Sequence, residues 1–128
     1  MTLSPRHKMG QAGTAVVEVA LLLPLLTSLL LAIIGGSLLM NTIGSLHYAV
    51  EGAARCAGIN AASCTTTTAT QSYAASLYTG PSSPTPMFTA SPGGCGTGTT
   101  QVTGLVTYVL DVAVAKWTIP LSATACFP

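Results

Sequence analysis

The sequence predicts an α+β protein: a long N-terminal transmembrane helix that continues outside the membrane, followed by a small disulfide-stapled domain with a short helix and an antiparallel β-hairpin or small sheet. Three observations predict it, namely a scarcity of charge, one long apolar run, and four cysteines in a polar C-terminal part. Charged residues make up 5% of the 128 residues, against about 25% in a typical soluble domain. Hydrophobic residues make up 49%, which is close to the usual share, so the unusual feature is missing charge.

This composition excludes two classes of protein. A nucleic-acid-binding protein neutralises phosphates with clustered Lys and Arg, and four such residues are spread over this chain. A disordered protein combines low hydrophobicity with high net charge, whereas the formal net charge here is +1. The length allows one modest domain.

The apolar run extends from Val19 to Met40. A helix of this length covers about 33 Å, which is enough to cross a hydrocarbon layer of about 30 Å. A chain this small has no core that could surround such a helix, so we expect residues 19–40 to span the lipid bilayer.

The flanking charges predict the orientation of this segment. Arg6, His7 and Lys8 precede it, so by the positive-inside rule the N-terminus stays in the cytoplasm and the C-terminal domain lies on the other side of the membrane. A secretory signal peptide has a similar basic start but a shorter apolar region of about 7 to 15 residues. Glu18 also stands at the entrance of the run, where a carboxylate is costly and usually has a partner.

The first 26 residues contain a motif. After the basic leader come Gly13-Thr14-Ala15-Val16-Val17-Glu18 and then the apolar residues Val19 to Leu26, including Pro24. This pattern resembles type IV pilin precursors, and most closely the TadE-like minor pilins (pseudopilins) of the Tad (Flp) pilus system. The resemblance implies that a prepilin peptidase cuts after Gly13 on the cytoplasmic side. Residues 1–13 would be the leader, and Thr14 would begin the mature chain with Glu18 as its fifth residue.

The resemblance also implies a function and partners. The chain would be a structural subunit that supports pilus biogenesis and surface adhesion, with other pilin-like subunits and the Tad assembly machinery as partners, and it could be assembled into an extracellular pilus. The new α-amino group of Thr14 and the Glu18 carboxylate of a neighbour could pair where neither tolerates burial alone. The alternative is an uncleaved single-pass anchor that displays a small periplasmic binding domain.

The helix pattern continues past Met40, so we expect one long helix over residues 14–57. Ser28, Ala32 and Gly36 recur every four residues and would form a ridge of small side chains for helix packing. Beyond the membrane, Leu46, Val50 and Ala53 or Ala54 lie on one helix face, and His47 with Tyr48 is interpreted as an interfacial anchor pair.

Residues 58–128 would form the small exported α+β domain. A threonine of the run at residues 65–68 can cap a helix over residues 69–78, and residues 80–100, rich in Pro and Gly, are typical of a loop. Residues 102–110 and 117–125 alternate like an antiparallel strand pair. Residues 111–116 could extend either strand.

The cysteines lie at positions 56, 64, 95 and 126. They lack the spacing of a zinc site, and in an oxidising compartment they favour two disulfides, for which three connectivities exist. Proximity along the chain favours Cys56–Cys64, and the hairpin prediction brings Cys95 close to Cys126. The sequence around them, including Glu51 to Ala57, Cys95-Gly96 and the last eight residues, also resembles the disulfide-bearing TadE-like form.

No catalytic site is predicted. His7 and Glu18 would lie on the cytoplasmic side and Asp111 on the other, and no nucleophile-elbow sequence accompanies His47 and Asp111. The glycines at positions 93–98 lack the Lys-Ser or Lys-Thr of a phosphate-binding loop. We therefore expect no enzyme activity, no cofactor and no metal.

Overall fold

The computed structural model describes residues 11–59, 62–82, 84–112 and 115–128. The leader residues Arg6, His7 and Lys8 and the glycine at position 10 lie outside them. The elements in chain order are listed here: α1 (Gln11–Gly58), α2 (Thr67–Leu77), β1 (Met87–Pro92), β2 (Thr100–Val112) and β3 (Ala115–Phe127). The chain divides between Gly36 and Ser37 into two compact units, which are described separately below.

Helix α1 has 48 residues, from Gln11 to Gly58. Its sequence is rich in Leu, Ala and other good helix formers, and Arg55 in the last turn complements the helix dipole. The predicted range was 14–57, so the observed helix begins three residues earlier and ends one residue later. The bond between Gly13 and Thr14 therefore lies inside helical backbone.

Helix α2 begins where the threonine run predicts a cap. The Thr66 side chain accepts a hydrogen bond of 3.1 Å from the backbone N–H of Ala69, which satisfies one of the free donors of the first turn. The Thr70 hydroxyl, which is buried, donates to the Thr66 carbonyl at 2.9 Å. The helix ends at Leu77, and the N–H of Tyr78 bonds to the carbonyl of Ala74.

The three strands form one antiparallel sheet in the order β1-β2-β3. The hairpin of β2 and β3 is longer than predicted, since residues 111, 112, 115 and 116 extend both strands; Ala113 and Val114 lie outside the described residues. Strand β1 corrects the prediction of a loop over residues 80–100. The prolines at both ends of this segment favoured the prediction of a loop. An edge strand can nevertheless carry a proline such as Pro92 at its terminus.

The core of the second unit lies between α1 and the sheet. The predicted helix face is confirmed, because Leu46, Val50, Ala53 and Ala54 are all buried. They belong to one cluster with the following residues: Ala74, Val102, Val106 and Ala123. Tyr78 and Phe88 pack at its edge with ring centroids 6.2 Å apart. Most core residues are small, so the helix approaches the sheet closely.

Two disulfides brace this unit. Cys56 is joined to Cys64 with Cα atoms 5.8 Å apart, and Cys95 is joined to Cys126 with Cα atoms 6.2 Å apart; both pairs are those that the sequence favours. Cys126 lies within β3, opposite Gln101, and not after the strand as predicted. The first disulfide ties the end of α1 to the segment before α2. The second ties the loop after β1 to the edge of the sheet.

Candidate functional site: the N-terminal apolar helix

The first unit exposes an apolar surface along the part of α1 that it contains. The most apolar window of the helix has a mean hydropathy of 2.5, and 0% of that window is buried. Leu21 is 70% exposed and Leu30, on another face, is 52% exposed. A helix that is apolar on every side requires surroundings of lipid or of other helices. This helix is a candidate membrane span by length and composition.

The polar side chains within this segment are satisfied by the helix itself. The Thr27 hydroxyl donates to the carbonyl of Leu23 at 3.0 Å, with the carbonyl of Pro24 at the same distance, and the Ser28 hydroxyl donates to the carbonyl of Leu25 at 2.8 Å. In hydrocarbon each unsatisfied polar group costs several kcal/mol. These internal bonds make both hydroxyls compatible with lipid.

Pro24 lies inside the helix and removes one backbone donor. The helix nevertheless continues through it. The carbonyl deprived of its usual i+4 donor is that of Ala20, because proline has no N–H. The hydroxyl bonds of Thr27 and Ser28 go to the carbonyls of Leu23, Pro24 and Leu25, which follow this gap.

The predicted packing ridge lies on the exposed helix. Ser28 and Ala32 are exposed, and a Cβ added at Gly36 would meet no atom within 4 Å. Small side chains allow a second helix to approach closely in lipid. The use of this ridge in helix packing stays a prediction.

Glu18 is exposed at the head of the apolar segment. It lies four residues after Thr14 on the same helix, so the two positions are separated by about one turn and a rise of about 6 Å. From residue 11 to residue 50 it is the only charged residue in the sequence. Any electrostatic interaction made by this segment therefore involves Glu18.

The residues that could serve catalysis or metal binding lie apart. Within the described ranges no group of three or more His, Cys, Asp or Glu could hold a metal ion. Asp111 pairs with Lys116 at 3.2 Å on the exposed hairpin. His47 is exposed on α1.

A comparison with protein families finds one match, which lies within α1. Residues 13–55 match the family model described as TadE-like protein. Residues 13–55 are similar to the TadE-like family. The match confirms the predicted resemblance, covers about a third of the chain, and begins at Gly13, the residue after which cleavage was predicted. No curated protein and no solved structure matches the chain.

The TadE-like match ends at Arg55, just before the first cysteine. The TadE-like family is associated with Tad pili and is a structural, non-enzymatic family. The resemblance of the C-terminal part to the disulfide-bearing TadE-like form stays a prediction. Sequence reasoning also missed a feature of that part: the far end of the β2–β3 hairpin carries an exposed tryptophan, Trp117. The apolar residues at positions 108, 110, 117 and 119 were a signal for it.

Proposed function

We propose that this chain is a structural pilin-like subunit of a Tad-type pilus, which a prepilin peptidase trims after Gly13 and which supports pilus biogenesis and surface adhesion. One observation carries the proposal: Glu18 is a single exposed charge at the head of an uncovered apolar helix, within a TadE-like segment that begins at Gly13. The helix before cleavage would be anchored in the inner membrane with its N-terminus in the cytoplasm. The disulfide-braced unit would be exported to the periplasm, where disulfides persist.

The physical role of cleavage follows from the positions of two charges. Cutting after Gly13 creates a positive α-amino group on Thr14, one turn before Glu18. A carboxylate at mid-bilayer costs about 2.5 to 3.5 kcal/mol on insertion scales. When helices bundle, the amine of one subunit and the carboxylate of its neighbour offset this cost by pairing, and the pair sets the axial register between subunits.

The uncovered helix supplies the packing surface for such a bundle. Its apolar side chains contact lipid before assembly, and other helices afterwards. The small residues Ser28, Ala32 and Gly36 permit close approach on one face. Association with other pilin-like subunits and with the Tad machinery would use this segment.

The first experiment locates the mature N-terminus. The full chain is coexpressed with the prepilin peptidase of a Tad system, and the N-terminus of the purified protein is sequenced. We expect Thr14, and we expect Gly13→Val to block cleavage while Gly10→Val, three residues upstream, leaves it intact. A retained Met1, or a cut on the outer side near Gly44, would reject processing by a prepilin peptidase.

The second experiment separates the proposal from an uncleaved membrane anchor that displays a binding domain. Glu18→Val should abolish pilus assembly while the protein still inserts and forms both disulfides. Glu51→Val, which removes the other acidic residue of α1 and lies outside the apolar segment, serves as the matched control and should assemble normally. Normal assembly with Glu18→Val would favour the simple anchor.

A further inference from the structure

The far end of the β2–β3 hairpin carries an apolar face that no described residue covers fully. We call this region the distal hairpin, residues 108–112 and 115–119. Tyr108 lies opposite Ile119, and Leu110 lies opposite Trp117. These four residues share the sheet face of Val106 and Leu121, because side chains two apart in a strand point to the same side. Val106 is buried in the core, whereas Trp117 is 57% exposed.

The sheet face that forms the core therefore extends beyond its buried residues into the distal hairpin. Leu110, Ile119 and Tyr108 are half-buried, and Trp117 at the end is exposed. Tryptophan is the largest apolar side chain and is usually well covered. An exposed row that ends in Trp117 is typical of a surface with a partner.

The contacts of the sheet with α1 locate the distal hairpin within the second unit. A Cβ added at Gly58 would overlap Phe127 at the end of β3, and one at Gly104 would lie within 3 Å of both Val50 and Leu46. Further along β2, Val106 and Tyr108 line a hollow together with Thr42. Strand β2 therefore runs in the opposite direction to α1. As β2 approaches the distal hairpin, the α1 residues beside it have lower numbers.

This direction places the distal hairpin at the Thr42 end of the second unit. Six residues of strand, about 20 Å, remain between Val106 and Val112. Thr42 comes two residues after Met40, the end of the predicted membrane span, so the chain leaves the bilayer at this end of the unit.

From the position of Val106 and Tyr108 beside Thr42, we propose that the distal hairpin rests in the interfacial region of the bilayer, with Trp117 and Leu110 inserted among the lipid headgroups. This inference rests on the proposed function, since it requires that the apolar segment spans a membrane. Trp and Tyr are enriched at membrane interfaces because an apolar ring and a polar N–H or O–H meet there. The location beside the membrane exit selects lipid over other apolar partners.

The charges of the distal hairpin fit a lipid surface. Lys116 and Asp111 form an ion pair of 3.2 Å, and their side chains are 64% and 67% exposed. The pair neutralises its own charge, so the hairpin approaches headgroups without a net electrostatic cost.

The experiment uses the single tryptophan of the chain as its reporter. The full-length protein is reconstituted into phosphatidylcholine and phosphatidylglycerol vesicles, and Trp117 fluorescence is quenched separately by aqueous acrylamide and by lipids spin-labelled at the headgroup or in the acyl chain. We expect a blue-shifted emission, a loss of acrylamide quenching and strong quenching by the headgroup label. Acrylamide is loaded on both sides of the membrane, so the result does not depend on the orientation of insertion.

A matched control moves the tryptophan to the opposite end of the unit. Trp117→Phe combined with Thr97→Trp places it in the exposed loop beside Cys95, where acrylamide should quench it and spin-labelled lipid should not. In a second variant, Leu110→Ser, the neighbour of Trp117 across the hairpin is polar, and acrylamide quenching should increase. Retention of both disulfides shows that the variants fold.

The outcomes separate this inference from the proposed function. If the protein floats with the vesicles but Trp117 is quenched by acrylamide as fully as the Thr97→Trp control, the membrane anchor stands and the docking of the hairpin is rejected. If Trp117 is shielded from acrylamide and from both lipid labels, increasingly so at higher protein density, a second protein chain covers it and the lipid partner is rejected. If the protein does not float with vesicles, the membrane anchor fails first.

Discussion

Gly104 lies at the centre of the sheet, where α1 and β1 leave no room for a side chain. A Cβ added there would lie 2.8 Å from Leu46 Cδ1, 2.9 Å from Phe88 Cε1 and 2.9 Å from Val50 Cγ1. Favourable carbon contacts are about 3.5 to 4.0 Å long. Leu46 and Val50 are buried, so a shift of either side chain away from the new methyl group meets other atoms of the core. The change Gly104→Ala is therefore expected to destabilise the second unit.

The magnitude follows from two opposing effects of this substitution. Overpacking a core by one methyl group costs about 1 to 3 kcal/mol. Alanine recovers about 0.5 to 1 kcal/mol, because a glycine in a strand loses more backbone entropy on folding. The middle of the two ranges gives a net loss of about 1 kcal/mol in the free energy of unfolding, which lowers Tm by roughly 4 to 8 °C for a domain of this size.

The assay is thermal unfolding of the oxidised full-length protein in detergent micelles, followed by near-ultraviolet circular dichroism. Gly44→Ala is the matched control: Gly44 is exposed on α1, and an added Cβ meets no atom within 4 Å. It should raise stability by about 0.5 to 1 kcal/mol through helix propensity. The two substitutions thus have opposite expected signs.

A double variant tests whether the lost stability comes from the predicted contact. Val50→Ala removes one of the three crowding groups, so Val50→Ala with Gly104→Ala should lose less stability than the sum of the single changes. An unchanged or raised Tm for Gly104→Ala alone would refute the packing of α1 against β2. Strict additivity in the double variant would refute the contact with Val50.

Three further predictions test other parts of the chain. Burial raises the pKa of Tyr78 above its ordinary value of 10.0, so the folded state holds this proton more tightly than the unfolded state and stability should fall as pH rises above 10. Tyr78→Phe should remove this alkaline loss. Because the buried hydroxyl has no hydrogen-bond partner among the described residues, the same variant should preserve or raise stability at pH 7 by up to about 1 kcal/mol in denaturant titrations. Replacing Cys95 and Cys126 together by Ser should cost about 3.7 kcal/mol in the same titrations, by the entropy of a 32-residue loop; a loss below 1 kcal/mol would contradict this account. Glu18→Gln, which keeps the shape and removes the charge, should reduce pili counted by electron microscopy as strongly as Glu18→Val, whereas Glu51→Gln should not.

The helices were predictable because their signals are local. Apolar residues on every side over residues 19–40 indicate a helix in lipid, and the change at Leu46 and Val50 to one buried face marks where a core begins. The cap at Thr66 is equally local. The family resemblance rests on the same kind of information, since Gly13 and Glu18 are five residues apart.

The sheet was only partly predictable because its pairing is not local. Strand β1 is short, lies at the edge and ends at Pro92, so its sequence lacks the long alternation that identified β2. Its partners, such as Leu105 opposite Met87, are contributed by a strand beyond a glycine-rich loop. The close approach at Gly104 depends on side chains from two other elements. Neither feature could be inferred from its own residues.

The positions of the few charged residues show how little net charge the surface of the described residues carries. Asp111 and Lys116 neutralise each other on the hairpin. Glu51 and Arg55 are exposed on α1 and form no ion pair within 4 Å among the described residues, although they stand one turn apart. A surface with so little net charge repels copies of itself weakly, which suits a subunit that packs against others. If the apolar helix packs against other subunits as proposed, Glu18 is the one charge between residues 11 and 50, so its position, and not the overall charge, would determine how neighbouring helices align.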